Sequence, residues 1–156
     1  MFRGKEIRLS PIGFVRRKEE EKNVRDKSLV CSIVFSKGYE KALDGVEDFS
    51  HIYIIFWMHK IGDAERKTLK THPRGLIDLP LLGVFATHSP LRPNPIGLTI
   101  VELLGRKGNT LTVRGLDAFD GTPVIDVKPY NHWDRIENVK VPEWWLKLEK
   151  EKGRGY

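Results

Sequence analysis

The segment His51–His59, HIYIIFWMH, constrains the fold more than any other part of this sequence. β-Branched and aromatic residues occupy both of its faces, a pattern that predicts a strand buried on two sides. Shorter segments share its character. Ile12–Val15 follows a proline, and Ser28–Phe35 sets Leu29, Cys31, Ile33 and Phe35 on one face. Gly83–Thr87, Leu98–Leu103, Thr110–Gly115 and Val124–Lys128 supply four more, and Arg106–Asn109 offers Gly and Asn for a hairpin connection. Helical patterning is confined to Tyr39–Phe49, which Gly45 weakens, and to Pro142–Lys152. In the latter, proline opens the helix, Glu143 complements its positive end and Gly153 closes it. The expected fold is mainly β: a closed or partly closed compact β-barrel with a few peripheral helices. The polar stretch Lys60–Pro80 reads as a long loop. The 156 residues are expected to form a single domain, with a core at about 8–141 and a C-terminal helix at about 142–152.

Charge narrows the partners. Lys and Arg number 27 against 21 Asp and Glu, a net charge of +6. The surplus suits an anionic partner, nucleic acid first, and equally suits a merely basic surface. Arg16–Lys18 and Lys147–Lys152 are interrupted or followed by acids, so they read as solvated faces. No apolar run reaches the roughly 18–20 residues of a membrane span, and the N-terminus lacks an apolar run of signal-peptide length. Cys31 is the only cysteine, which excludes an internal disulfide and a cysteine-based zinc site. A cytoplasmic location is the expectation.

Several chemistries lose support. His51 and His59 stand roughly 26 Å apart along a strand. There is no HExxH and no His-x-His, so no metal is expected. Nucleophile-elbow, phosphate-loop and dinucleotide fingerprints are absent. Two segments remain. GVFATHSPLRPNPIG, Gly83–Gly97, carries prolines that restrict the backbone and hold Arg92 and Asn94 at little entropic cost. GLDAFDGTPVIDVKPY, Gly115–Tyr130, gathers Asp117, Asp120, Asp126, Lys128 and Tyr130, with Asp126 and Lys128 on one strand face and Val127 on the other. Pattern alone leaves a plain alternative for each: a turn at Asp120–Gly121, an ordinary Asp126–Lys128 ion pair, and prolines that cap a barrel end.

GVFATHSPLRPNPIGLTIVEL and LDAFDGTPVIDVKPY, together with DFSHIYIIFWMH and the opening SPIGFV, resemble the TsaA-like family, also called YaeB-like or UPF0066. The resemblance implies a compact β-barrel that works as a homodimer, with its cofactor near the subunit interface. It further implies an S-adenosyl-L-methionine-dependent methyltransferase acting on threonylcarbamoyladenosine beside the tRNA anticodon. Matching positions put cofactor contacts at His59 and Lys60, at His88, at Leu98, and along Arg114, Gly115, Leu116 and Asp117. His88 stands where the family commonly has arginine, and Arg17–Lys27 lacks the usual P-R-Q-like pattern. Bacterial relatives often carry an additional C-terminal domain.

The expected chemistry follows from that resemblance. Asp126 and Tyr130, with Lys128 as their charged neighbour, are candidates to polarise or deprotonate the acceptor nitrogen. Arg92 is a candidate for the substrate carboxylate or a phosphate, and Asn94 for orienting the carbamoyl group. Asp117, Phe85 and Trp57 are candidate neighbours of the sulfonium. Arg66, Lys67, Lys70 and Arg74 make the 60–80 stretch the expected tRNA contact. The alternatives are a non-catalytic RNA-binding barrel, a methyltransferase for a different RNA base or a small molecule, and an assembly module.

Overall fold

The computed structural model describes residues 6–150. Six strands close an antiparallel barrel: β1 (Gly13–Arg16), β2 (Val30–Phe35), β3 (His51–Trp57), β6 (Ile96–Lys107), β7 (Thr110–Arg114) and β8 (Pro123–Pro129). Around the barrel the order is β1-β2-β7-β6-β3-β8. Closure removes the exposed strand edges that an open sheet of this size would present. Two short strands, β4 (Lys70–Thr71) and β5 (Leu82–Gly83), pair as a separate ribbon. One helix, α1 (Glu143–Lys150), follows the barrel, and several 3₁₀ turns join the strands.

Alternation fixes the interior. Val15, Ile33, Ile52, Ile54, Leu111 and Val113 point inward and are fully buried. Each such side chain contributes about 1.5–3 kcal/mol by leaving water. Phe56 completes the layer by lying on Gly97, its register partner. A Cβ at Gly97 would stand 2.2 Å from the Phe56 ring, so the close approach requires glycine.

Four sequence expectations change. β3 buries only one face: Ile52, Ile54 and Phe56 are buried, while Tyr53, Ile55 and Trp57 are half-exposed on the outer side. In so apolar a segment, composition alone does not separate a core face from an exterior apolar face. Residues 84–86 form a 3₁₀ turn, leaving β5 only two residues long. Tyr39–Phe49 splits into two 3₁₀ turns at Gly45, whose φ is 85°, and Arg106 pins the pair by donating to the Asp44 carboxylate and the Glu40 carbonyl. The 60–80 stretch is a folded insertion whose middle, β4, pairs with β5. The C-terminal helix begins after Pro142 as expected; Lys152 and Gly153 lie outside the described residues.

Candidate functional site

The starts of β2, β6 and β8 and the ends of β3 and β7 converge on one end of the barrel, because every neighbouring pair is antiparallel. A cavity of about 320 Å³ opens there. Asp117, Phe119 and Thr122 form one wall, and Phe56, Met58 and Lys60 a second. Thr87, His88 and Pro90 close the proline-rich side, with Lys27 and Arg25 opposite.

The β7–β8 loop is shaped by Gly115, whose φ of 88° disfavours any side chain. A Cβ there would also meet the Lys27 carbonyl at 3.2 Å. The turn buries Leu116 completely and presents Asp117 to the cavity. The Thr99 hydroxyl donates to the Asp117 carboxylate, and Lys27 Nζ lies 3.6 Å from it while donating to the Gly115 carbonyl at 3.0 Å. Lys60 pairs with Glu21 and stands 4.5 Å from the centre of the Phe119 ring. His59 Nδ1 lies 3.3 Å from the Thr122 hydroxyl. Lys60, His88 and Asp117 therefore line one cavity, with His59, Gly115 and Leu116 directly behind its wall.

Leu98 and Arg114 lie elsewhere. Leu98 points outward from β6 and is 63% exposed, and Arg114 forms an ion pair with Glu102 on the barrel exterior.

The proline-rich segment runs along the cavity rim. Arg92 Nη2 donates to the carbonyls of Val84 and Thr87 at 2.9 and 3.1 Å, so its guanidinium braces the rim. Met58 N–H donates to the Pro95 carbonyl at 2.7 Å, and Arg66 Nε to the Pro93 carbonyl at 2.9 Å. Asn94 faces a second cavity, of about 470 Å³, with Trp57, Arg66, Ile96 and Ile125. Phe56 and Met58 line the first cavity and Trp57 the second, so the end of β3 separates the two by the thickness of one strand. Arg66 lies 5.4 Å above the Trp57 ring.

Asp126 and Lys128 share the outer face of β8, 3.1 Å apart, with Val127 packed inward as the alternation implied. Tyr130 lies at the far end of β3, where its ring meets Tyr53 and His51 edge-on. That is roughly 20 Å along the strand from Met58. Burial and the neighbouring Asp134 and Tyr130 push the Tyr53 phenol above its ordinary value. Of the loop cations, Lys67 and Lys70 are exposed, Arg66 braces Pro93, and Arg74 lines the first cavity.

Arg17, whose run of charges suggested a solvated face, is instead buried against the cavity wall. Its side chain is 1% exposed, and it donates to the carbonyls of Ala118 at 3.0 Å and Leu116 at 3.3 Å. The signal was strand parity: Gly13 and Val15 face inward, and Arg17 continues that face past the end of β1. Among the described residues, no group of three His, Cys, Asp or Glu side chains is placed to hold a metal ion, and no helix is long and apolar enough to cross a membrane.

Residues 17–134 match the family model described as tRNA-methyltransferase O N-terminal domain. A protein of Methanothermobacter thermautotrophicus named "Probable S-adenosyl-L-methionine-binding protein" is 47% identical over 130 residues, covering 80% of this chain and 90% of that protein. The mouse tRNA (adenine(37)-N6)-methyltransferase is 42% identical over 113 residues, covering 72% of this chain and 26% of that enzyme. The crystal structure of TrmO from Pseudomonas aeruginosa superposes with a TM-score of 0.70 at 28% identity, covering 87% of this chain and 61% of that one. The chain thus spans most of the archaeal relative but under two thirds of the solved structure. These matches correct the TsaA-like assignment drawn from the motifs: the matched stretch contains both motif segments and carries a different family description. The chain belongs to the tRNA-methyltransferase O N-terminal domain family.

Proposed function

We propose that this chain is an S-adenosyl-L-methionine-dependent methyltransferase that modifies the exocyclic nitrogen of adenine 37 beside the tRNA anticodon, in its threonylcarbamoyl form. The supporting observation is the charge-lined cavity at the barrel end, most of whose lining falls within the family's matched residues. Its donor set suits the cofactor: carboxylate and ammonium groups for a zwitterionic amino acid, and aromatic and apolar faces for an adenosine. When bound, S-adenosyl-L-methionine supplies an electrophilic methyl group on a sulfonium.

The chain's own residues bind and orient. Lys60 and Lys27 offer cations to a carboxylate, and Asp117 offers a carboxylate to an ammonium or ribose hydroxyl. Arg17 holds the Leu116–Ala118 carbonyls still, so the wall is organised before any ligand arrives. Arg92 stiffens the opposite rim by the same means. The acceptor approaches over the proline-rich rim that borders both cavities, so that its nitrogen reaches the methyl group at the first cavity. Asn94 meanwhile orients the carbamoyl group, and Trp57 stacks on a base held in the second cavity. Asp126, held against Lys128, accepts the proton released by the acceptor nitrogen. Tyr130, far from the cavity of its own chain, and Leu98, on the outer face, serve a second copy.

The outer face supports a homodimer: Ile96, Leu98 and Ile100 on β6 stand beside half-exposed Ile55 on β3. Such an apolar strip suits a self-complementary interface. Exposed Lys67 and Lys70 contact tRNA phosphates in the cytoplasm.

The test combines calorimetric titration with S-adenosyl-L-methionine and methyl transfer to a tRNA transcript bearing threonylcarbamoyladenosine. Saturable cofactor binding and a methylated nucleoside by mass spectrometry are expected. RNA binding without cofactor affinity overturns the reading in favour of a non-catalytic barrel.

A further inference from the structure

Helix α1 lies beyond residue 134, where the family match ends, yet it faces the same cavity as Asp117 and Lys60. Trp144, Trp145 and Leu148 line that cavity, and Leu148 is the helix's buried anchor. The two indole rings meet edge-on, 5.6 Å between centres and 69° apart. The Trp145 ring stands 6.0 Å from His88 on the proline-rich rim, and its Nε1 donates to Glu149 one turn on at 3.3 Å. Both tryptophans are only half-buried by the protein itself. Large indole faces left over a concave, charge-lined site are surfaces for a flat ligand.

We propose that Trp144 and Trp145 are cofactor-binding residues, forming an aromatic wall against which the adenosine moiety packs. The inference rests on the assignment of this cavity to S-adenosyl-L-methionine and adds a wall from outside the family core. The charged residues across the cavity hold the amino-acid end, and the indoles take the end that has no charge. Leu148 sets the helix in place, and the Glu149 contact fixes the ring plane of Trp145, so the wall is ordered in advance. His88 closes the gap between this wall and the rim.

Calorimetry on the full chain separates the two readings. Wild-type protein that takes up neither S-adenosyl-L-methionine nor S-adenosyl-L-homocysteine overturns the cavity assignment and, with it, this inference. Where wild-type protein binds, the Trp144→Ala/Trp145→Ala variant is expected to lose about tenfold to a hundredfold in affinity for both ligands, the scale of base–aromatic stacking. Phe at both positions is expected to restore most of that loss. Unchanged affinity in the double-alanine variant overturns the wall while leaving the cavity assignment standing. A second measurement does not depend on how the alanine variant folds. In Trp57→Phe/Trp133→Phe protein, where only Trp144 and Trp145 emit, adenosine is expected to quench the fluorescence saturably. Emission that does not change on saturation with S-adenosyl-L-homocysteine overturns the proposal.

Discussion

Two faces of the barrel are built from the same strands to opposite ends. The barrel-end cavity is concave, and polar groups organise it: buried Arg17 under the Leu116–Ala118 carbonyls, buried Thr99 and exposed Lys27 on Asp117. The outer face of β3, β6 and β8 is open, with exposed Leu98 and Ile100 beside the Asp126–Lys128 pair. The first suits a small ligand whose groups must be matched one by one. The second suits a large partner that covers area. One strand serves both, since successive residues of β3 point to opposite sides.

Separating these faces by mutation gives the largest expected effect. Asp126→Ala or Asn94→Ala is expected to lower turnover on tRNA by about 10²–10⁴-fold while cofactor affinity by calorimetry stays within twofold. Near-wild-type turnover removes both residues from the acceptor side. Next comes Arg17→Met, which strands the buried Leu116 and Ala118 carbonyls. A loss of about 3 kcal/mol in urea unfolding is expected, together with weaker cofactor binding. Gly97→Ala drives a methyl into the Phe56 ring at the layer between the faces, and about 1–3 kcal/mol of stability is expected to go. Leu98→Lys/Ile100→Lys is expected to shift sedimentation toward monomer with barrel stability moving by less than about 0.5 kcal/mol, as exposed positions do.

The smallest effect concerns pH. Burial raises the Cys31 thiol above its ordinary value of 9.0. The folded protein therefore holds that proton when the unfolded chain has released it. The resulting stability is complete below the ordinary thiol value and is lost as pH rises through the folded one. Tyr53, also raised, adds a loss at still higher pH. The fall in melting temperature above about pH 9 is expected to be shallower in Cys31→Val than in wild type.

Much of this was legible in the chain. Alternation in Ser28–Phe35 identified the buried set Cys31, Ile33 and Phe35, and the Gly108–Asn109 hairpin was set by local turn chemistry. The motif segments likewise located the cavity wall at Asp117 and the rim at His88. Arg17 was misread because a run of charges looks solvated until strand parity is carried one residue past β1. The helix expected over Tyr39–Phe49 failed because Gly45 takes a positive φ where a helix needs a negative one.

Local patterns were enough to place most of the barrel strands, the hairpin glycine and the residue types of the site, but not the single inward face of β3 or the turn at residues 84–86, because local preference depends only on neighbours within a few positions. Barrel closure, the division of β3 between two cavities, the separation of Tyr130 from Asp117 and the arrival of α1 at the cavity were decided only in three dimensions. Those features depend on strand order and register, which bring together residues as distant as Lys60, Asp117 and Trp145. No local preference in the sequence encodes that meeting.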